Sequence, residues 1–189
     1  GGANNIFDYH DVSEILTKGV FSTMVKPVGQ ICNLNCTYCY YLKPHRKECG
    51  LMSETLLEEY IRQYITGQDS DIVSFCWHGG EPTTAGLAYF KKAVELQKKY
   101  SDGKQIDNTL QTNGILINHE WCRFFIENNF LVGLSIDGPA SVHDGNRIWN
   151  GHRSSFDAAV RAAERFHDTG GECNTLTTVN KLNEEKGEE

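Results

Sequence analysis

The sequence predicts an α/β fold built on a parallel sheet. From Phe21 onward, short β-like runs alternate with amphipathic helical segments. Each of the first four β-like runs ends in an unusual set of small, polar or thiol residues. Alternation at this spacing implies right-handed βαβ units. A (β/α) barrel and an open doubly wound sheet both fit, and both place chemistry at the carboxyl ends of the strands.

The first run, FSTMVKPVG (21–29), leads into a cysteine-rich loop. A helix over 53–65 follows, with Ser53 at its cap and Leu57, Tyr60, Ile61 and Tyr64 on one face. DIVSFCWHGG (71–80) reads as the second strand, and the helix over 85–100 repeats apolar residues at Leu87, Phe90 and Val94. QIDNTLQTNG (105–114) is the third strand, followed by a helix over NHEWCRFFIENN capped by Asn118. FLVGLSIDGP (130–139) is the fourth strand, closed by a Gly-Pro turn. Ser154 and Asp157 fit a capping box for a helix over 155–167, and GGECNTLTTVN (170–180) reads as a fifth strand. The division expected is an N-terminal extension (1–20), one core (21–180) and a charged tail (181–189), since 189 residues bury one sizeable core.

Strand periodicity separates two faces. In VGLSID, Val132, Leu134 and Ile136 alternate with Gly133, Ser135 and Asp137. In IVSFCWH, Val73, Phe75 and Trp77 alternate with Ser74, Cys76 and His78. A parallel sheet buried on both sides reads as nearly continuous Val, Ile and Leu. Here one face is small and polar, as expected of a wall around a bulky polar ligand.

The net charge of −7 and the lack of a Lys/Arg-rich run argue against nucleic acid or an anionic membrane as partner. No secretory signal or membrane-length apolar run is visible, so the expected location is the cytoplasm. On that reading the Asn35-Cys36-Thr37 sequon is coincidental. Seven cysteines (32, 36, 39, 49, 76, 122 and 173) make an odd count, and in a reducing compartment close spacing points to metal binding or catalysis.

Cys32, Cys36 and Cys39 form C-x3-C-x2-C in the loop after the first strand. Three thiolates on one compact loop can hold three corners of a [4Fe–4S] cube, which otherwise takes four cysteines, and leave one iron open. A Cys3His zinc site with His45 is the alternative, although Cys39 to His45 is C-x5-H rather than a knuckle spacing. The other four cysteines are scattered and read as buried free thiols.

This motif, with Tyr38 before its last cysteine, resembles the signature of radical S-adenosylmethionine enzymes. VKPVGQICNLNCTYCYYL, FCWHGGEPTTAGL, LQTNG and ENNFLVGLSIDGP, followed by His143 and Arg147, resemble the anaerobic sulfatase-maturating enzymes in particular. The resemblance runs from about Met24 to Asn180. It implies a TIM-type (β/α)6 barrel, here about four βα units plus a fifth strand. Cys32, Cys36 and Cys39 would hold the [4Fe–4S] cluster, and Tyr38 would lie by the adenine of S-adenosylmethionine. Gly79, Gly80 and Glu81 would meet its ammonium, Ser135 its ribose and Arg147 its carboxylate. Glycines admit close backbone approach, a carboxylate pairs with a cation, and a planar guanidinium suits a carboxylate. On residues alone, the Gly-Gly pair equally makes a plain turn and Arg147 a solvated surface arginine. His78, Gln111, Asn113 and Asp137 have either pocket roles or local structural ones.

The resemblance further implies reductive cleavage of S-adenosylmethionine to a 5′-deoxyadenosyl radical. That radical takes a Cβ hydrogen from a cysteine or serine of a nascent sulfatase, on the way to Cα-formylglycine. A low-potential donor such as flavodoxin or ferredoxin would supply the electron. Thioether formation on a peptide, or a non-catalytic metal module, are the competing functions. Five strands against six, and no auxiliary-cluster cysteines, lead us to expect an N-terminal portion of a longer enzyme, with no catalytic acid/base assigned within it.

Overall fold

The computed structural model describes residues 19–42, 50–149 and 153–185. Its main sheet has five parallel strands in the order β1 (Thr23–Val25), β3 (Ile72–Trp77), β4 (Gln105–Thr112), β5 (Phe130–Ser135) and β7 (Asn174–Leu176). A doubly wound sheet reverses strand order at a switch point. Here each strand joins on the same side of its predecessor, which is barrel-type progression. The sheet is open among the described residues.

The connecting helices are α1 (Glu54–Thr66), α2 (Leu87–Tyr100), α3 (His119–Glu127) and α5 (Ser155–Asp168). The expected caps are present: Ser53, Asn118 and Ser154 accept the amides of Leu56, Trp121 and Asp157. The helices pack on one side of the sheet. Val73, Phe75, Trp77, Leu110, Val132 and Leu134 point into that layer and share one core with Leu57, Phe90, Phe125 and Phe166. Aromatic edges hold it together: Trp77 meets Phe90 at 5.3 Å between centroids in T-shaped geometry. A polar pair within it is satisfied, because Asn108 Oδ1 accepts from Trp77 Nε1 at 2.8 Å and from Gln97 Nε2 at 2.9 Å.

Several elements differ from the sequence expectation, among them the second and fifth strands, which are Ile72–Trp77 and Asn174–Leu176 rather than 71–80 and 170–180. The first strand is only Thr23–Val25, because residues 27–30 turn, with Gly29 at φ +59°. Strands three and four end at Thr112 and Ser135, which frees the residues beyond them for the site. Unforeseen are α4 (Ala140–Asn146) and an antiparallel pair of three-residue strands, β2 (Leu34–Cys36) and β6 (Arg147–Trp149). That pair places Arg147 opposite Cys36, and no local sequence period announces a pairing so distant along the chain. No helix among the described residues is long and apolar enough to cross a membrane.

Candidate active site

The polar face of the sheet opens at its carboxyl end into a cavity of about 430 Å³. Its lining includes Cys32, Cys36, Cys39, Tyr38, Gly79, Gly80, Glu81, Ser135 and Arg147, the whole set singled out from the sequence. A smaller cavity of about 210 Å³ shares His78, Gln111 and Leu176 with it, so the two adjoin along the sheet.

The cysteine loop is held from two sides. On one, the Gly79-Gly80-Glu81 backbone hydrogen-bonds to it: Gly80 N donates to Gly29 O and Glu81 N to Ile31 O, both at 2.8 Å. A Cβ on Gly80 would stand 2.1 Å from Ile31 O, and one on Gly79, at φ +121°, would stand 2.7 Å from Gly29 O. These glycines are required for backbone apposition, a role beyond both the plain turn and the ligand contact. On the other side, Thr37 donates from N to Asn146 O and from Oγ1 to Asn146 Oδ1, each at 2.8 Å.

Glu81 is fully buried. Its Oε1 accepts from Thr83 N, Thr83 Oγ1 and Thr112 Oγ1, and its Oε2 accepts from Asn113 N at 2.8 Å. Burial pushes its carboxyl above the usual range despite these donors, and no cationic side chain among the described residues pairs with it. One Oε2 acceptor site is left over, which suits an incoming cation.

Asp137 lies behind the lining and holds Tyr38 and Arg147, which face the cavity. It is wholly buried and takes Arg147 in a bidentate pair, Nε to Oδ2 and Nη2 to Oδ1, both 2.9 Å. Tyr38 donates its phenol to Asp137 Oδ2, and Thr178 N donates to Oδ1 at 3.0 Å. Burial opposes the Asp137 charge, but these donors outweigh it and hold the carboxyl below its ordinary value. The Arg147 guanidinium lies 5.6 Å from the Tyr38 ring centroid. Arg147 is 8% exposed, not a solvated surface arginine, and it lines the cavity. Asp137, left open between turn and pocket roles in the sequence, organises this wall. An acid beside a Gly-Pro turn gave no signal of it.

Gln111 Nε2 donates to Ser135 Oγ at 2.9 Å, so Gln111 faces the cavity rather than only satisfying the strand end. His78 accepts Gly79 N at Nδ1, which leaves Nε2 to carry the proton. Burial, helped by Lys26, lowers its pKa, so it is a neutral donor. His143 accepts Asp137 N at Nδ1 and supports the wall from behind. Cys122 is a buried free thiol as expected, but Cys76 and Cys173 are only half-buried and Cys76 lines the smaller cavity. His45 and Cys49 lie outside the described residues.

The donor set fits an iron–sulfur cube. All three loop thiols are free and face one cavity. Burial raises the Cys32 pKa and pushes Cys36 up to about 11, so thiolates at these two positions call for a cationic guest. A cube spreads its ligands over separate corners, as three thiols on one loop allow. The cavity volume also lies in the range of about 300–1,000 Å³ typical of small-molecule sites.

Fold and site together define a radical S-adenosylmethionine protein: the radical SAM superfamily profile matches residues 27–189, and the chain belongs to that superfamily. The superfamily uses a [4Fe–4S] cluster and S-adenosylmethionine. Within it, the chain is similar to the sulfatase-maturating branch. It is 48% identical to the serine-type anaerobic sulfatase-maturating enzyme of Bacteroides thetaiotaomicron, over 86% of this chain and 40% of that enzyme. It is 42% identical to the cysteine-type enzyme of Clostridium perfringens, over 84% of this chain and 44% of that enzyme. The solved structure of anSMEcpe with bound AdoMet superposes with a TM-score of 0.83 at 39% identity, over 89% of this chain and 46% of that one. The chain thus spans less than half the length of these relatives.

Proposed function

We propose that this chain carries the cofactor-binding core of an enzyme that oxidises a cysteine or serine of a sulfatase to Cα-formylglycine. The observation that carries the reading is the single cavity lined by three free thiols, Tyr38, Gly79, Gly80, Glu81, Ser135 and Arg147. Two relatives, one named for serine and one for cysteine, and a solved relative holding AdoMet with the Cp18Cys peptide, support a polypeptide substrate.

When bound, the cluster and S-adenosylmethionine supply a 5′-deoxyadenosyl radical. The chain's own residues hold and orient. Cys32, Cys36 and Cys39 are the cluster ligands. Glu81 Oε2 and the backbone at Gly79 and Gly80 take the ligand ammonium. The guanidinium of Arg147, aligned by Asp137, takes the ligand carboxylate, and Tyr38 flanks the adenine. Ser135, oriented by Gln111, takes the ribose hydroxyls. The strand residues Cys76 and Thr109, with His78 just beyond β3, bound the adjoining cavity, where His78 Nε2–H can donate to a substrate carbonyl. A low-potential protein such as flavodoxin or ferredoxin supplies the electron.

The test is anaerobic reconstitution with iron and sulfide, then incubation with dithionite, S-adenosylmethionine and a peptide bearing Cys-x-Pro-x-Arg. We expect 5′-deoxyadenosine together with a peptide mass corresponding to conversion of the thiol to an aldehyde. Nucleoside release with an unchanged peptide would redirect the reading to another modification, such as thioether formation. A colourless one-zinc protein would overturn it.

A further inference from the structure

Cys32 Sγ carries two N–H donors, Leu34 N at 3.4 Å and Asn113 Nδ2 at 3.8 Å. Asn113 Nδ2 also donates to Asn33 Oδ1 at 2.7 Å, joining the two amides into a pair beside Cys32. Asn33 Nδ2 is buried there with no hydrogen-bond partner, an arrangement that is costly unless a sulfur acceptor lies within reach.

Asn113 is fixed in this orientation. Its backbone N binds Glu81 Oε2 at 2.8 Å, and its Oδ1 accepts Ile115 N at 3.1 Å. With both those groups engaged, only the amide N–H bonds remain, and they are directed at Asn33 and Cys32. Cys32 Sγ itself lies 3.9 Å from Asn33 Oδ1 as a thiol donor. As a cluster ligand it loses that proton and becomes an acceptor only. Asn113 Nδ2 then serves it as donor, while Asn33 holds that amide through Oδ1 and keeps its own Nδ2 unpaired.

We propose that the side-chain amides of Asn33 and Asn113 tune the reduction potential of the cluster through the Cys32 corner. The inference rests on the reading that Cys32, Cys36 and Cys39 hold a [4Fe–4S] cluster. The redox step is the gain of one electron from a low-potential one-electron donor, with no bond broken and no proton transferred. Reduction adds negative charge to the cluster and its sulfurs, so N–H donors at a ligand sulfur stabilise the reduced state and raise the potential. Asn113 is a positioning residue in this scheme. It also links the corner to Glu81, so the ligand-binding and electron-accepting parts of the site share one buried strand end.

The test is EPR-monitored potentiometry of anaerobically reconstituted protein without S-adenosylmethionine. Asn113→Ser keeps a hydroxyl acceptor for Ile115 N while losing the amide, and Asn33→Ala removes its partner. With wild-type iron content, both variants shift the midpoint more negative and the double variant shifts it furthest. At a fixed poise the ratio of reduced to oxidised cluster falls several-fold. Unmoved potentials in loaded variants overturn the proposal. The unaltered chain, labelled with side-chain ¹⁵N-asparagine, gives a second measurement free of folding effects. A ¹⁵N hyperfine coupling to the reduced cluster is expected, and its absence overturns the proposal. An unaltered chain that assembles no cluster refutes the cluster reading itself, and this inference with it.

Discussion

At the residue scale, the Asp137–Arg147 pair governs one wall of the site, and its energetics follow from burial. A charge left alone in such a place costs about 3–5 kcal/mol, because neither water nor a partner compensates it. Arg147→Ala should therefore lower stability by about that amount, read as a fall in urea midpoint. The pH dependence separates two carboxylates. The Asp137 pKa is depressed in the fold, so its contribution is present above the unfolded value of about 3.9 and lost as pH falls through the folded one. Glu81 is raised by burial, so it acts in the opposite sense and costs stability as pH rises past about 4.3. The urea-midpoint gap between wild type and Asp137→Asn should narrow as pH falls below about 4. A gap constant from pH 7 to pH 3 would place the Asp137 effect in shape rather than charge. The thiol spacing made Cys32, Cys36 and Cys39 legible in the sequence. The Asp137 hub was not, since its partners Tyr38, Arg147 and Thr178 come from three separated segments.

At the scale of elements, the helices were readable because capping and the 3.6-residue period are local signals. Ser53, Asn118 and Ser154 all cap where their side chains predict. The strand faces were readable for the same reason, with Phe75 and Trp77 in the core and Cys76 and His78 on the cavity. By contrast, α4 holds Gly145 and Asp144 in seven residues, weak helix formers whose placement comes from packing of Val142 and His143. The β2–β6 pairing is set by tertiary contact, as short strands are. The Gly79-Gly80 turn joins element to site, since its backbone binds the cysteine loop. Gly80→Ala should lose most reconstituted iron, because the added Cβ would overlap Ile31 O and displace the loop. Wild-type iron content in that variant would show that the loop keeps its shape without this apposition.

At the scale of the whole molecule, stability is graded across the sheet. The central strands β3, β4 and β5 bury their inner residues under four helices, whereas all three residues of β7 are exposed and Leu176 is 51% exposed. Amide exchange should be slowest in β3–β5, through opening close to global unfolding, and far faster in β7. Equal protection across the sheet would contradict an open edge. Strand count and alternation gave the fold class, but they left barrel and doubly wound sheets undecided. The order β1-β3-β4-β5-β7 resolved that, and order is a long-range property.

The central claim is that three cysteines hold a cluster with one iron open to S-adenosylmethionine. EPR of the anaerobically reconstituted, dithionite-reduced protein, recorded with and without S-adenosylmethionine, tests it most directly. We predict a reduced-cluster signal whose g-values change when the nucleotide is added. A cluster spectrum indifferent to saturating S-adenosylmethionine would contradict it.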